Sequence, residues 1–561
     1  MLRRGGFQGF EGTQGLTIIM FVRFKALLCR FTIRYPAFCI VSVLMCLSPR
    51  GQAGQTVRSD LCVFGATSAG VAAAVEAARE GRKVVLTECG SHVGGMTAGG
   101  LSQTDIGNKG AIGGLAREFY QRMGRHYGTN EAWRLEPSVA ERVFNEMLGE
   151  AGVTVYFHCR LASVKTKRHR IESLTMDDGT VFQARVFIDA SYEGDLMAKA
   201  GVSHFVGREA NAVYHETLDG IRAVTPKHQF SVAVDPFVRP GDPSSGLLPF
   251  IQDQPPGQEG DGDHSVQAYN FRLCLTQNPT NRLPITPPAN YDPARYELLA
   301  RYIEALVAAG ETPRLGQFMD IIPMPHGKTD INNNGGFSTD FIGGNAGYAE
   351  GDEAARERIR QAHEDYTRGL LHFLADSPRV PASLRAEMQS WGLCKDEFQD
   401  TGGWPHQLYI REARRMVSDY VMTENNCRQS LEVPDPVGLA AYNMDSHNCR
   451  RIVRHGRVEN EGDVQVGGFP PYQISYRSLV PRRRECENLL APVCLSASHI
   501  AYGSIRMEPV FMVLGQSSAI AAGLALEKKV AVQGIPYDEL RRRLLGAKQV
   551  LAWPKRPASA K

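Results

Sequence analysis

The chain has 561 residues, 43% hydrophobic and 22% charged, the composition of an ordinary globular protein with length for roughly three to four domain equivalents. Its 56 glycines and 31 prolines allow long loops but fall short of collagen or low-complexity disorder. The net charge of +3 is uneven: residues 1–53 hold seven basic side chains against the single acid Glu11, leaving −3 for the rest, so no basic surface for nucleic acid is expected.

Basic residues from Arg23 to Arg34 precede an apolar run, Ala37 to Leu47, and a small-residue stretch ending at Ala53. That order is the order of a secretory signal. Residues 1–53 therefore read as a leader, and the protein as exported, periplasmic or secreted. The apolar run is shorter than the about 20 residues a membrane span needs, so the mature chain is expected to have no stable span.

Leu61 to Phe64 reads as a strand ended by Gly65, Ala69 to Arg79 as a helix stopped by Gly81, and Lys83 to Glu88 as a second strand. Strand, glycine turn, helix and strand make a βαβ unit of a parallel sheet. A helix over 137–149 and several strands in 153–190 follow, with a hairpin around Asp177 to Gly179. From about 205 to 480 the texture changes to longer loops between helices near 294–309, 352–375 and 407–422, which reads as a separate substrate or cap domain. Residues 488–494 restore a strand, and Pro509 sits in the first turn of a helix running to about Leu526, where its missing N–H costs least.

Gly65, Thr67 and Gly70 occupy the three glycine positions of G-x-G-x-x-G, with threonine in the middle. In that fingerprint the first glycine makes the turn, the third lets helix and strand approach, and the helix N-terminus faces a pyrophosphate. Glu88, 23 positions after Gly65, ends the next strand where a carboxylate can bind ribose hydroxyls. Gly65, Thr67, Ser68, Ala69, Gly70 and Glu88 are therefore the expected dinucleotide contacts. The doublet Gly94 and Gly95, the strand reaching Asp189, and the C-terminal strand and helix favour FAD as the dinucleotide, with the last helix's N-terminus able to stabilise negative charge on a reduced flavin.

The twelve cysteines include no C-x-x-C pair, the spacing that usually marks a zinc ribbon or iron–sulfur cluster. Nine follow the leader, and buried thiols are the simplest reading; no metal site is expected.

The segments 65–70, 94–101, 327–336, 403–415 and 499–509 together resemble the bacterial FAD-dependent oxidoreductase family of glutathione-reductase-like flavoproteins, over about residues 58–545. Threonine at position 67 is usual in that family, and some members are named xanthan lyase. The resemblance implies an α/β fold: a Rossmann-like FAD-binding domain of the glutathione-reductase type in two parts, 58–204 and 481–545, around an inserted α+β substrate or cap domain, 205–480, with a tail over 546–561. It implies FAD held additionally by Met96, Ser504 and Met507. The family is also similar to heterodisulfide-reductase flavoprotein subunits that carry a 4Fe-4S cluster, which the cysteine spacing here does not support.

A flavin oxidoreductase needs a donor bond placed over the flavin and a base for the partner proton, most often histidine. His499, Arg506 and Glu508 lie on the loop that the resemblance puts beside the isoalloxazine, although Glu508 also reads as a helix cap. His326 opens a polar loop readable as a substrate contact or as a structural turn. His406, with Arg411, Glu412, Arg414 and Arg415 on an expected helix after it, could face an acidic or hydroxylated substrate, against the alternative of structural helix pairs. Asp445 to His447 form a further polar loop. One dinucleotide fingerprint alone argues against a NAD(P)H domain, leaving oxygen, a quinone or a small carrier as the electron acceptor. The expected reaction is hydride transfer from a small polar donor, an alcohol, sugar or amine, to the flavin. The rival readings are a polysaccharide lyase or glycan-binding protein with a non-redox dinucleotide fold, and an electron-transfer subunit of the heterodisulfide-reductase kind.

Overall fold

The computed structural model describes residues 54–554; the leader read in 1–53 lies outside them. A parallel five-stranded sheet runs in the order Leu489–Leu490, Val186–Asp189, Leu61–Phe64, Val84–Thr87, Thr154–Tyr156. Numbered along the chain this is 5-4-1-2-3, so the order reverses between Leu61–Phe64 and Val186–Asp189. Ligands of open α/β sheets bind at such a reversal, outside the carboxyl ends of the strands. The strands Leu61–Phe64 and Val186–Asp189 are buried on both faces, as a sheet covered by helices requires.

The helix Ser68–Arg79 starts where Thr67 accepts a hydrogen bond from the Gly70 amide at 3.3 Å. It packs on the helix Glu508–Lys528, whose Gly515 lies so close to Ala69 that a Cβ there would sit 2.2 Å from the Ala69 carbonyl oxygen. Glu508–Lys528 is apolar enough by length and composition to cross a membrane, yet it is buried from Glu508 to Leu526. A helix apolar all round belongs in a core, and this one runs through the centre of the chain's largest hydrophobic cluster. The helix Pro137–Ala151 closes over the glycine doublet, with Phe144 against Gly94.

Region 205–480 contributes an antiparallel five-stranded sheet in the order Arg282–Leu283, Gly392–Cys394, Leu273–Thr276, Lys328–Asn333, Met319–Pro323. The helices Glu297–Ala308 and Glu353–Asp376 lie close to the spans expected. The helix expected over 407–422 is absent; the segment is irregular apart from the short strand Arg415–Met416. Its Arg-Glu spacing does give one local ion pair, Glu412 with Arg415 at 2.6 Å, but without a helix; Arg411, Glu412, Arg414 and Arg415 are all buried, and each is also paired with a distant residue. The expected strand over 488–494 shrinks to Leu489–Leu490, and the loop before Pro509 contains a helix, His499–Ile505, capped by Ser498. The tail is anchored through Gln549 and Leu551, both buried, and through Lys548, whose carbonyl accepts the Gly114 amide at 2.9 Å.

Candidate functional site

The sheet's reversal point opens into a cavity of about 920 Å³, within the about 300–1,000 Å³ typical of ligand sites. Gly65, Thr67, Glu88 and Gly95 line it. Gly65 has φ +93, and a Cβ there would meet the Ser191 nitrogen at 2.8 Å; at Gly70 it would meet the Gly65 carbonyl oxygen at 1.9 Å. Both glycines are thus required by the turn itself. Thr67 fits the middle position because its hydroxyl donates to the Ala190 carbonyl at 2.7 Å, fastening the turn to the neighbouring strand. The Glu88 carboxylate accepts from the Ala66 and Gly90 amides, each at 2.8 Å, which fixes it at the rim with acceptor capacity to spare.

Beyond the glycine doublet, Tyr192 accepts a hydrogen bond from the Met96 amide at 2.8 Å and donates to Glu508 Oε1 at 2.9 Å. Thr97 donates to the other Glu508 oxygen at 2.6 Å. Burial raises the Glu508 carboxyl above its ordinary range while these hydroxyls oppose the rise. The Ser68 hydroxyl, at the start of the fingerprint helix, stands beside the same carboxylate and favours its charged form. Tyr192 borders the large cavity and Glu508 a second, water-sized one shared with Asp105, Tyr409 and Arg506.

Around Tyr409 lies a buried network of charges. Arg506 reaches the Tyr409 hydroxyl and Asp445 Oδ2, each at 3.2 Å, while Arg411 pairs with Asp340 at 2.9 Å and Arg272 with Asp330 at 2.8 Å. The guanidinium carbons of Arg411 and Arg272 stand 4.7 and 5.4 Å from the Tyr409 ring centre. His447 lies 2.9 Å from Asp340 and 3.7 Å from Asp445. Burial and Arg411 disfavour its charge, but the two carboxylates outweigh them and raise its pKa. Burial and the neighbouring His447 push His228, whose ring stacks parallel to it at 6.3 Å, down to about 4.

The structure sorts the expected site residues. His406 borders the large cavity and stacks on His92 at 3.8 Å; neither ring nitrogen has a partner among the described residues, and burial followed by His92 lowers its pKa to about 4. His92 is itself held between Glu141 at 3.0 Å and Asp400 at 2.9 Å, and the Glu141 hydrogen bond raises its pKa. His499 is fully committed elsewhere, 2.7 Å from Glu412 and 2.9 Å from Ser446, and borders neither cavity. His326 lies apart: its side chain is 68% exposed, it pairs with Glu136 in a left-handed turn at φ 59, and it borders neither cavity. Asp189 is occupied in shaping its own turn, accepting from Ser191 and Met197, and burial lifts it to about 6. Ser504 donates to the Tyr442 carbonyl at 2.5 Å, whereas Met507 borders the small cavity. Tyr192, Arg272 and Tyr409 escape sequence reasoning: none stands in a spaced motif, and their partners are distant in the chain.

The residues present fit FAD. A glycine turn with no room for a Cβ at Gly65 or Gly70, the helix N-terminus that follows it and a carboxylate at the rim stand at a cavity of suitable size. Among the described residues no group of three or more His, Cys, Asp or Glu side chains is placed to hold a metal ion.

Several solved structures match parts of the chain. A double mutant of the flavin monooxygenase from Stenotrophomonas maltophilia is 15% identical over 24% of this chain and 37% of its own, with TM-score 0.19. THI4 from Thermovibrio ammonificans is 22% identical over 29% of this chain and 71% of its own, with TM-score 0.22. Thioredoxin reductase from T. acidophilum is 17% identical over 24% and 34%, with TM-score 0.17. No curated protein matches the chain. The family model described as FAD dependent oxidoreductase matches residues 60–544, nearly the whole described span, and the chain belongs to that family.

Proposed function

We propose that the protein is an exported FAD-dependent oxidoreductase that takes two electrons and a proton from a small polar donor, an alcohol, sugar or amine, in the periplasm or outside the cell. The observation that carries the reading is the 920 Å³ cavity at the sheet's reversal point, with the glycine turn and Glu88 at its rim. In this reading residues 58–204 and 481–545 form an FAD-binding domain of the glutathione-reductase type, and 205–480 an inserted domain that selects the donor. FAD, when bound, supplies the two-electron acceptor. Glu88 would accept from the ribose hydroxyls, and the helix starting at Ser68 would face the pyrophosphate. Glu508, with Tyr192 and Thr97 donating to it, is a fixed acceptor for hydroxyls deeper in the site.

The chain's own proton acceptor is best sought in His406. Its ring is neutral and both nitrogens, though buried, lack a hydrogen-bond partner among the described residues, whereas His499 and His447 are tied to carboxylates. Arg506, held by Tyr409 and Asp445, would fix an electronegative group of the donor or cofactor at the inner cavity. Electrons would leave to oxygen, a quinone or a small carrier.

The test is a visible spectrum with iron analysis on the purified protein, followed by an anaerobic donor screen that follows flavin bleaching. One FAD per chain, no iron and bleaching by a polar donor support the reading. A protein that stays colourless with added FAD yet cleaves or binds a glycan establishes the non-redox rival, and stoichiometric iron establishes the electron-transfer rival.

A further inference from the structure

The antiparallel register that pairs Leu275 with Leu393 and Thr276 with Gly392 places Cys274 directly opposite Cys394, 120 residues away in sequence. Residues so opposed have Cα atoms about 4.5–5.5 Å apart, inside the about 4.4–6.8 Å that a disulfide spans. Their sulfurs already lie 3.3 Å apart. With Phe398 they form a small apolar cluster separate from the main core, both sulfur-bearing side chains buried. The other cysteines among the described residues offer no comparable pair: Cys486 and Cys494, close in sequence, make their contacts to Asn488 and to the Ser191 and Tyr192 carbonyls.

We propose that Cys274 and Cys394 form a disulfide in the mature protein, a covalent link across the second sheet between positions 120 residues apart in sequence. The oxidant is a disulfide donor, either an oxidised dithiol protein or glutathione disulfide. The thiolate of one cysteine attacks a donor sulfur and releases one donor thiol, leaving a mixed disulfide. The second cysteine then attacks the bound protein sulfur and releases the other donor thiol. Two protein S–H bonds and one donor S–S bond are exchanged for one protein S–S bond and two donor S–H bonds, so the two electrons and two protons end on the donor.

Burial sets the timing. In the folded chain the cysteines are closed to a donor, and the hydrogen bond with Cys394, then burial, lift the Cys274 thiol well above its ordinary range, so little nucleophilic thiolate exists. Exchange therefore precedes closure of the sheet, and an exporting cell supplies donor at that stage. The consequence reaches the polar network as well. Cys274 is two residues from Arg272, whose guanidinium pairs with Asp330 on the adjacent strand, so the link fixes the strand that leads into the Tyr409 cluster.

The test is independent of flavin binding and of any donor substrate. The full chain is reduced and unfolded, then refolded either with reduced glutathione alone or with a mixture of reduced glutathione and glutathione disulfide. Both samples are unfolded again in maleimide and mapped by peptide mass. Expected is a linked peptide pair carrying Cys274 and Cys394 in the oxidised sample only, lost on reduction, with Tm about 4 °C higher than in the reduced sample. Full maleimide labelling of both cysteines in the oxidised sample, or linkage of either to another cysteine or to glutathione, overturns the proposal. The same map on protein isolated from the oxidising compartment, trapped in acid and never refolded, gives the same two outcomes where refolding fails. The Cys274→Ser variant should leave Cys394 fully labelled.

Discussion

Tyr192 donates to Glu508 across 316 residues of sequence, and this 2.9 Å hydrogen bond joins the two ends of the site. The tyrosine also accepts from the Met96 amide, so one hydroxyl fastens the glycine doublet, the turn after Val186–Asp189 and the N-terminus of the central helix. Removing it leaves a buried amide unpaired, which costs about 1–3 kcal/mol. Tyr192→Phe is expected to weaken FAD binding about tenfold and to lower Tm. Glu508→Gln, which turns an amide donor toward one of two hydroxyl donors, is expected to act in the same direction. Titration of flavin fluorescence measures both.

The glycines of the turn separate steric need from backbone freedom. Gly70→Ala would drive a Cβ to 1.9 Å from the Gly65 carbonyl oxygen, which no side-chain adjustment relieves. The expected result is insoluble or FAD-free protein. At Gly81, with φ +77, an added Cβ would meet no described atom within 4 Å, so Gly81→Ala should cost only about 1–2 kcal/mol of backbone strain and retain FAD. Soluble yield and the ratio of flavin to protein absorbance compare the two.

How much of this is legible in the sequence follows from where each interaction's partner lies. The glycine turn, its helix and Glu88 belong to 28 consecutive residues, Leu61 to Glu88, and local patterning is enough to find them. The segment after His406 reads as a helix because its charges repeat at helical spacing, and spacing cannot reveal that Arg411 pairs with Asp340 and Arg415 with Glu209. The polar network around Tyr409 joins residues from widely separated parts of the chain, including the C-terminal helix region. No single stretch carries it. The His326 loop divides in a related way: His326 pairs with Glu136, while Asp330, four residues on, joins the network through Arg272.

Asp463 should make stability depend on pH. Burial raises its carboxyl from 3.8 to about 7, against the pull of His447. A carboxyl whose folded pKa is raised contributes stability fully present below its unfolded pKa, and that contribution is lost as pH rises toward the folded value. The window is therefore about pH 4 to 7, worth up to about 4 kcal/mol at about 1.36 kcal/mol per pH unit. Asp463→Asn keeps an acceptor for Gln465 and removes the titration, so it should raise stability at pH 7.5 and change little at pH 4. Denaturant unfolding at the two pH values checks this; a variant no more stable at pH 7.5 would show that Asp463 is not held protonated.

His406 and His326 are both candidates by sequence, and the structure sets them in different surroundings. His406 borders the cavity with both ring nitrogens buried and unpartnered among the described residues, while His326 is exposed and paired with Glu136. Losing a general base typically costs about 10²–10⁴ in rate. His406→Asn, with a donor identified by the bleaching screen, should slow anaerobic flavin reduction by that range and leave the flavin spectrum intact. His326→Ala should leave the rate unchanged and shift stability by no more than about 0.5 kcal/mol, the scale of a surface substitution. Stopped-flow reduction of the two variants under one donor concentration decides between them. Equal slowing of both would place the base outside the cavity and return the His326 loop to the site.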